Sequence, residues 1–154
     1  MEEFVGEYSV NFSAKNRILI PAPLRGKLGT NLIVSTHNEN WLEIYPLNYW
    51  KKFGLHLSKL SSLRSDLKDY YRLLYSQLLL VELDQQGRFI LTEKMIANLN
   101  LDVESSLLKL TIVGVGEYIE IWQSEKWEIK KEFLEKNLPG ISERLAFMLE
   151  QNNK

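Results

Sequence analysis

At 154 residues, 45% apolar and 25% charged with four prolines, the chain has the composition of a globular protein, and its formal net charge of −1 excludes a general polycation. It contains no cysteine, which excludes disulfide staples and thiolate metal sites. The start, Met1-Glu2-Glu3, has neither the basic residues nor the apolar stretch of a secretory signal, and the apolar run Leu78 to Val81 is far short of the roughly 20 residues a membrane helix needs. The expectation is a cytoplasmic protein with no membrane partner.

Charge is unevenly distributed. Residues 1–77 carry ten Lys/Arg against seven Asp/Glu, and residues 78–154 carry nine against thirteen. No acid falls between Glu7 and Glu39, where Lys15, Arg17, Arg25 and Lys27 all lie. Such a segment can hold phosphate locally, although a chance gap in acids on a solvated face gives the same pattern.

The first predicted element is a strand at about Val5 to Phe12, followed by a polar turn and a second strand, Arg17 to Ile20. A short helix then opens at Pro21, a residue tolerated in a first turn because its missing N–H has no helical partner there. Strands near Leu32 to Ser35 and Trp41 to Tyr45 follow. Leu63, Leu67, Tyr70, Tyr71, Leu74 and Leu78 form one apolar stripe at helical spacing. The pattern then repeats: a strand at about Leu78 to Leu83, a polar turn, Arg88 to Leu91, a short helix, and strands near Leu107 to Val113 and Tyr118 to Trp122. Ser124 reads as an N-cap with Glu125 in the first turn of a closing helix. Ile141, Leu145, Met148 and Leu149 form a last helical stripe after Pro139-Gly140. Both stripes read as core packing, with packing between subunits as the alternative.

The repetition is a duplication. Arg17 lies over Arg88 at a shift of 71, with Phe12, Ile18, Leu19, Ile20, Leu24 and Leu28 over Leu83, Phe89, Ile90, Leu91, Met95 and Leu99. At a shift of 77, Leu42-Glu43-Ile44-Tyr45 lies over Ile119-Glu120-Ile121-Trp122, and Trp50 and Trp127 each follow by five residues.

The two polar turns, Ser13-Ala14-Lys15-Asn16-Arg17 and Asp84-Gln85-Gln86-Gly87-Arg88, differ in sequence and predict one shape. Ser13 and Asp84 supply the oxygen that a type I turn uses at its first position. Asn16 and Gly87 supply a fourth residue that reaches positive φ, a recognised hairpin connection. Lys and Arg can pair with phosphates, Arg can bridge guanine, and Asn or Gln can bridge adenine, so a ribbon carrying these residues suits the major groove. The competing reading is an ordinary polar turn whose Arg17 or Arg88 pairs with a nearby carboxylate.

At these residues the chain resembles the SpoVT/AbrB-like DNA-binding domain, with its Asp-x-Lys/Gln-Gly-Arg-x-x-x-Pro pattern and following short helix. Two copies, together with Gly6-Glu7-Tyr8, Ile44-Tyr45-Pro46-Leu47, Glu82-Leu-Asp-Gln-Gln-Gly-Arg88 and Val113-Gly-Val-Gly-Glu-Tyr-Ile-Glu-Ile-Trp122, are similar to the MraZ family of transcriptional regulators. The resemblance implies an α+β fold: two tandem swapped-hairpin units forming one pseudo-twofold barrel with flanking helices. The layout it implies is a first repeat over 4–60, a connecting helix over 61–76, a second repeat over 77–130 and a C-terminal helical extension over 131–154. It also implies a ring-like homo-oligomer, a nucleoid-associated location, and recognition of short repeated DNA boxes upstream of the division and cell-wall gene cluster. The DNA-facing set carried over is Lys15, Asn16, Arg17, Gln86, Gly87 and Arg88, with Ser13 and Asp84 shaping the turns. Arg25 and Lys27 join it on charge alone. Ser13, Asn16 and Thr92 stand where the family pattern has Asp, Gly and Pro, which weakens the carry-over for the first turn.

Catalytic signals are missing from the sequence. His37 and His56 are far apart, Gly114-Val-Gly116 lacks the third glycine of a dinucleotide loop, and no nucleophile elbow, Walker loop or zinc spacing occurs. The expectation is a non-enzyme with no cofactor, metal or small-molecule substrate. Two other readings stay open: an interaction or scaffold module of the same fold with weakened DNA binding, and an antitoxin-like regulator with a toxin partner.

Overall fold

The computed structural model describes residues 3–12, 16–59, 65–102 and 108–153. Two compact units are present, Met1–Gln123 and Ser124–Lys154. All eight strands of the two repeats lie in the first.

The first repeat supplies β1 (Glu7–Asn11), β2 (Arg17–Leu19), α1 (Ala22–Leu28), β3 (Asn31–Ser35), β4 (Trp41–Pro46) and α2 (Leu47–Ser58). After α3 (Ser65–Ser76), the second repeat supplies β5 (Leu78–Glu82), β6 (Arg88–Ile90), α4 (Glu93–Asn98), β7 (Lys109–Gly114) and β8 (Ile119–Gln123). Six strands form an antiparallel sheet in the order β1-β7-β8-β4-β3-β5, and β2 pairs antiparallel with β6. Exchanging the repeats turns that order into its own reverse. Each opening strand therefore pairs in the other repeat: β1 on β7, and β5 on β3.

The register locates the relating axis. Ile18 lies opposite Phe89 and Glu43 opposite Glu120, and each of these residues faces its own counterpart in the other repeat. The Asp84–Gly87 turn is closed by an Asp84 N–H donated to the Arg88 carbonyl at 2.8 Å. Beyond that bond the expected hairpin opens: β5 continues into the six-stranded sheet and β6 pairs with β2. The two-stranded ribbon of this molecule takes one strand from each repeat.

Alternation explains the layers. Ile18 and Phe89 point inward from the ribbon onto a core that includes Ile20, Leu24, Leu28, Leu91, Met95 and Leu99. Leu32, Val34, Leu42, Ile44, Leu110, Ile112, Ile119 and Ile121 meet it from the sheet. The opposite face of the central strands is aromatic. Trp41 stacks on Trp122 and Tyr45 on Tyr118, each with ring centroids 4.8 Å apart. Among these rings the carboxylate of Glu43, 8% exposed, accepts hydrogen bonds from Asn38, Trp41 and Tyr45, while Glu120 accepts one from the Trp122 indole. These donors offset the desolvation of a buried carboxylate. Gly114 permits a close crossing: a Cβ there would lie 2.5 Å from backbone atoms of Phe4 and Val5.

Several expectations change at the helices. Pro21 is the residue before α1 and Pro23 sits in its first turn, whereas Thr92, at the matching place, caps α4 by accepting the Met95 N–H at 3.3 Å. Leu78 opens β5 instead of ending the helical stripe, and Leu63 and Leu107 lie outside the described residues. On α3, Leu67, Tyr71 and Leu74 are half-buried and Tyr70 is exposed. The sequence pattern did not lead us to α2. Its Leu47, Trp50, Phe53 and Leu57 keep helical spacing after Pro46, and the helix runs unbroken through Gly54.

The second unit comprises α5 (Ser124–Lys136) and α6 (Leu138–Asn152), with Ser124 as the first helical residue and Glu125 in the first turn. Neither helix has a buried residue. Ile141 is half-buried, whereas Leu145, Met148 and Leu149 are exposed, so most of this stripe is not core packing within the unit.

Candidate nucleic-acid interface

The polar turn of the second repeat is built by its first residue. Asp84 Oδ1 accepts the backbone N–H groups of Gln86 and Arg88, each at 2.9 Å, and the Gly87 N–H donates to the Asp84 carbonyl at 3.0 Å. Gly87 has φ +82° and Asn16, its counterpart, φ +56°. Both occupy the left-handed region that the turn chemistry requires. The Asp84 carboxyl is held below its ordinary value, first by the Arg88 backbone N–H and, against some desolvation, by the Gln86 N–H and the charges of Arg88 and Arg17.

Each turn is tied to the other repeat. The Ile20 N–H donates to the Gly87 carbonyl at 2.9 Å, and the Leu91 N–H to the Asn16 carbonyl at 2.7 Å. These bonds extend the β2–β6 ribbon by one step at each end. Asn16 and Gly87, the left-handed residues of the two turn sequences, therefore sit at opposite ends of one ribbon.

Alternation on the ribbon sends Arg17, Leu19, Arg88 and Ile90 outward, and all four are exposed. Arg17 lies opposite Ile90 and Leu19 opposite Arg88, so the two guanidinium groups occupy diagonal corners of one face. A shallow depression beside them is lined by Arg17, Asp84, Arg88, Ile90, Leu80 and Glu82, among others. Arg88 donates to the Gln86 side-chain oxygen at 2.9 Å, which steers its guanidinium.

The other basic residues have local partners. Arg25, on α1 of the first repeat, crosses to the second turn and donates to the Gln86 carbonyl at 3.0 Å. Its side chain covers Gly87 so closely that a Cβ there would lie 2.4 Å from Arg25 Cδ. Its Nε is buried among atoms that offer it no acceptor. Charge suggested a phosphate contact for Arg25; the geometry adds a brace across the repeats, which sequence reasoning missed. The available signal was an exchange between copies: Arg25 goes with Gly87, while Ile96 stands at the position matching Arg25 and goes with Asn16. Lys27 donates to the Glu3 carbonyl at 2.6 Å. Ser13 and Lys15 lie outside the described residues.

Among the described residues no helix is long and apolar enough to cross a membrane. Comparison with known proteins bears on the whole chain. A family model for the MraZ protein, described as antitoxin-like, matches residues 4–70 and again 75–146. A relative in Clostridium tetani named transcriptional regulator MraZ is 35% identical across 81% of this chain and 84% of its own length. Relatives of the same name in Lactobacillus johnsonii and Desulforamulus reducens are 35% and 30% identical, across 92% and 95% of this chain and 96% and 99% of theirs. With the duplicated turn-and-ribbon geometry and matches of this extent, the chain belongs to the MraZ family of transcriptional regulators.

Proposed function

We propose that this chain binds double-stranded DNA by seating the outer face of the β2–β6 ribbon and its two turns in the major groove, reading short repeated boxes upstream of the division and cell-wall gene cluster. The observation that carries this reading is the pair of exposed guanidiniums, Arg17 and Arg88, at diagonal corners of a ribbon whose register is centred on Ile18 and Phe89. A two-stranded ribbon fits the B-DNA major groove, and arginine bridges guanine O6 and N7 there. In this reading Lys15, Asn16 and Gln86 contact the duplex from the turns, Ser13, Asp84 and Gly87, which is buried under Arg25, fix the turn shapes, and Lys27 meets a phosphate. Arg25 braces the second turn beside the groove. The body carrying the ribbon is a swapped-hairpin barrel made by the repeats over 4–60 and 77–130, joined by a connecting helix over 61–76 and followed by a helical extension over 131–154.

The exposed apolar residues of α6 support self-assembly, and a ring of copies would raise affinity by engaging several boxes at once. The protein acts in the cytoplasm, on the nucleoid. A mobility-shift titration against the gene's own upstream region at about 0.1 M salt tests the proposal, because non-specific binding is weak there. Arg17→Ala and Arg88→Ala each weaken specific binding by about 1–3 kcal/mol. Lys27→Ala weakens all sequences alike and flattens the salt slope. Unchanged affinity in the double arginine variant refutes the reading head and favours a scaffold of the same fold.

A further inference from the structure

We propose that Leu19 and Ile90 are specificity-determining residues that read the methyl groups of thymines flanking the guanines contacted by Arg17 and Arg88. The inference rests on the DNA-binding reading above and adds to it a base preference with its own residues.

The ribbon alternates strictly. Ile18 and Phe89 are buried, whereas Leu19 is 40% and Ile90 56% exposed. Two large apolar side chains thus stand on the face that carries the two arginines, where solvation alone would favour polar residues. They are not scattered: each sits directly across the ribbon from an arginine, Ile90 from Arg17 and Leu19 from Arg88. Leu80, 73% exposed, also lines the same depression.

Major-groove chemistry supplies a partner for this checkerboard. Guanine presents two acceptors to an arginine fork, and thymine presents a C5 methyl, the one apolar group on a base edge there. Charge complementarity with phosphate brings the arginines to the duplex, and the shorter apolar side chains beside them then face the C5 methyls that project from base edges into the groove. Paired strands are about 4.8 Å apart, and residues two apart along a strand are about 6.8 Å apart. With base pairs stacked at about 3.4 Å, each apolar residue falls within about two base pairs of an arginine's guanine. Because the ribbon is centred on the Ile18–Phe89 pair, the thymines recur on both sides of the dyad. Leucine and isoleucine differ in shape, so the two half-sites need not be read identically.

The test uses the full chain and a duplex that it selects from random oligonucleotides. Each thymine within three base pairs of a selected guanine is replaced in turn by deoxyuridine, which deletes the methyl and nothing else. At least one replacement on each side of the dyad should weaken binding by the wild-type chain by about fourfold, the worth of one buried methyl. The same replacements should cost a Leu19→Ser/Ile90→Ser chain nothing, while Arg17→Ala and Arg88→Ala chains remain sensitive. The wild-type comparison needs no variant to fold, and circular dichroism of the serine chain confirms its fold. Specific binding that is indifferent to every deoxyuridine, or a loss that persists in the serine chain, overturns the inference and leaves the DNA-binding reading standing. Failure to select any duplex overturns both.

Discussion

Gly87→Ala separates two costs that the structure superimposes at one residue. Gly87 has φ +82°, a conformation that costs an L-residue roughly 1–2 kcal/mol. The added Cβ would also lie 2.4 Å from Arg25 Cδ and 2.7 Å from its Nη1. The guanidinium must then leave the Gln86 carbonyl, which forfeits a hydrogen bond of about 1 kcal/mol, below the roughly 1.5–3 kcal/mol of charged hydrogen bonds because this one is exposed. The expected destabilisation is therefore about 2–3 kcal/mol in the wild-type chain. In an Arg25→Ala background the steric part disappears and about 1–2 kcal/mol remains. Urea unfolding of the four chains in this cycle measures the coupling, provided that the slope of free energy against urea is common to all four. A coupling of about 1 kcal/mol is expected. Equal costs in the two backgrounds, within about 0.3 kcal/mol, would refute the brace across the repeats.

Three further outcomes follow from the same geometry. The Asp84 carboxyl ionises below its unfolded value near 3.8 because two backbone N–H groups and two arginines favour its charge; its stabilisation is present above that pH and is lost as the pH falls through the folded value. Asp84→Asn should flatten the dependence of the unfolding midpoint on pH below about 4, as a series of urea titrations would record. Thr92→Ala removes the oxygen that accepts the Met95 N–H and should cost about 1 kcal/mol of stability in the same assay. Burial first, then the charges of Glu120 and Glu43, pushes the Tyr118 hydroxyl up to about 12, and burial and the Glu43 hydrogen bond push Tyr45 further in the same direction. Their stabilisation is complete below the ordinary tyrosine value of 10.0 and is lost as the pH rises through the folded values. Phenolate absorbance should show late-ionising tyrosines, and Tyr45→Phe should remove one of them and cost about 1–3 kcal/mol through the donor that buried Glu43 loses.

The repeat, the strand order along the chain and the turn shape were legible in the sequence because each depends on local chemistry. Asn16 and Gly87 were expected at positive φ from their place in the turn, and both have it. Partner choice was not legible in the local pattern; exchange of hairpins was implied only by the family resemblance. Alternation in Arg17–Leu19 and Arg88–Ile90 reports which side chains face inward, and the same pattern serves a local hairpin or a pairing across the repeats. Arg25 shows the same limit. Its charge is visible in the chain, but its position over Gly87 depends on the exchange of strands that brings α1 to the second turn. The stripe Leu145, Met148 and Leu149 shows periodicity without burial: the spacing defines a helix face and leaves open what that face meets.

The reversible strand order makes this body a dimer written on one chain. Severed ahead of β5, neither half could complete a sheet alone, since β1 needs β7, β5 needs β3, and β2 and β6 need each other. The halves would recover a fold only by meeting a complement, so the linker between them acts as an effective concentration that keeps two otherwise separable molecules permanently assembled. Fusion also frees the halves to diverge. Arg25 could come to brace Gly87 while Ile96 took the equivalent position in the second copy, an asymmetry that a dimer of identical subunits cannot encode.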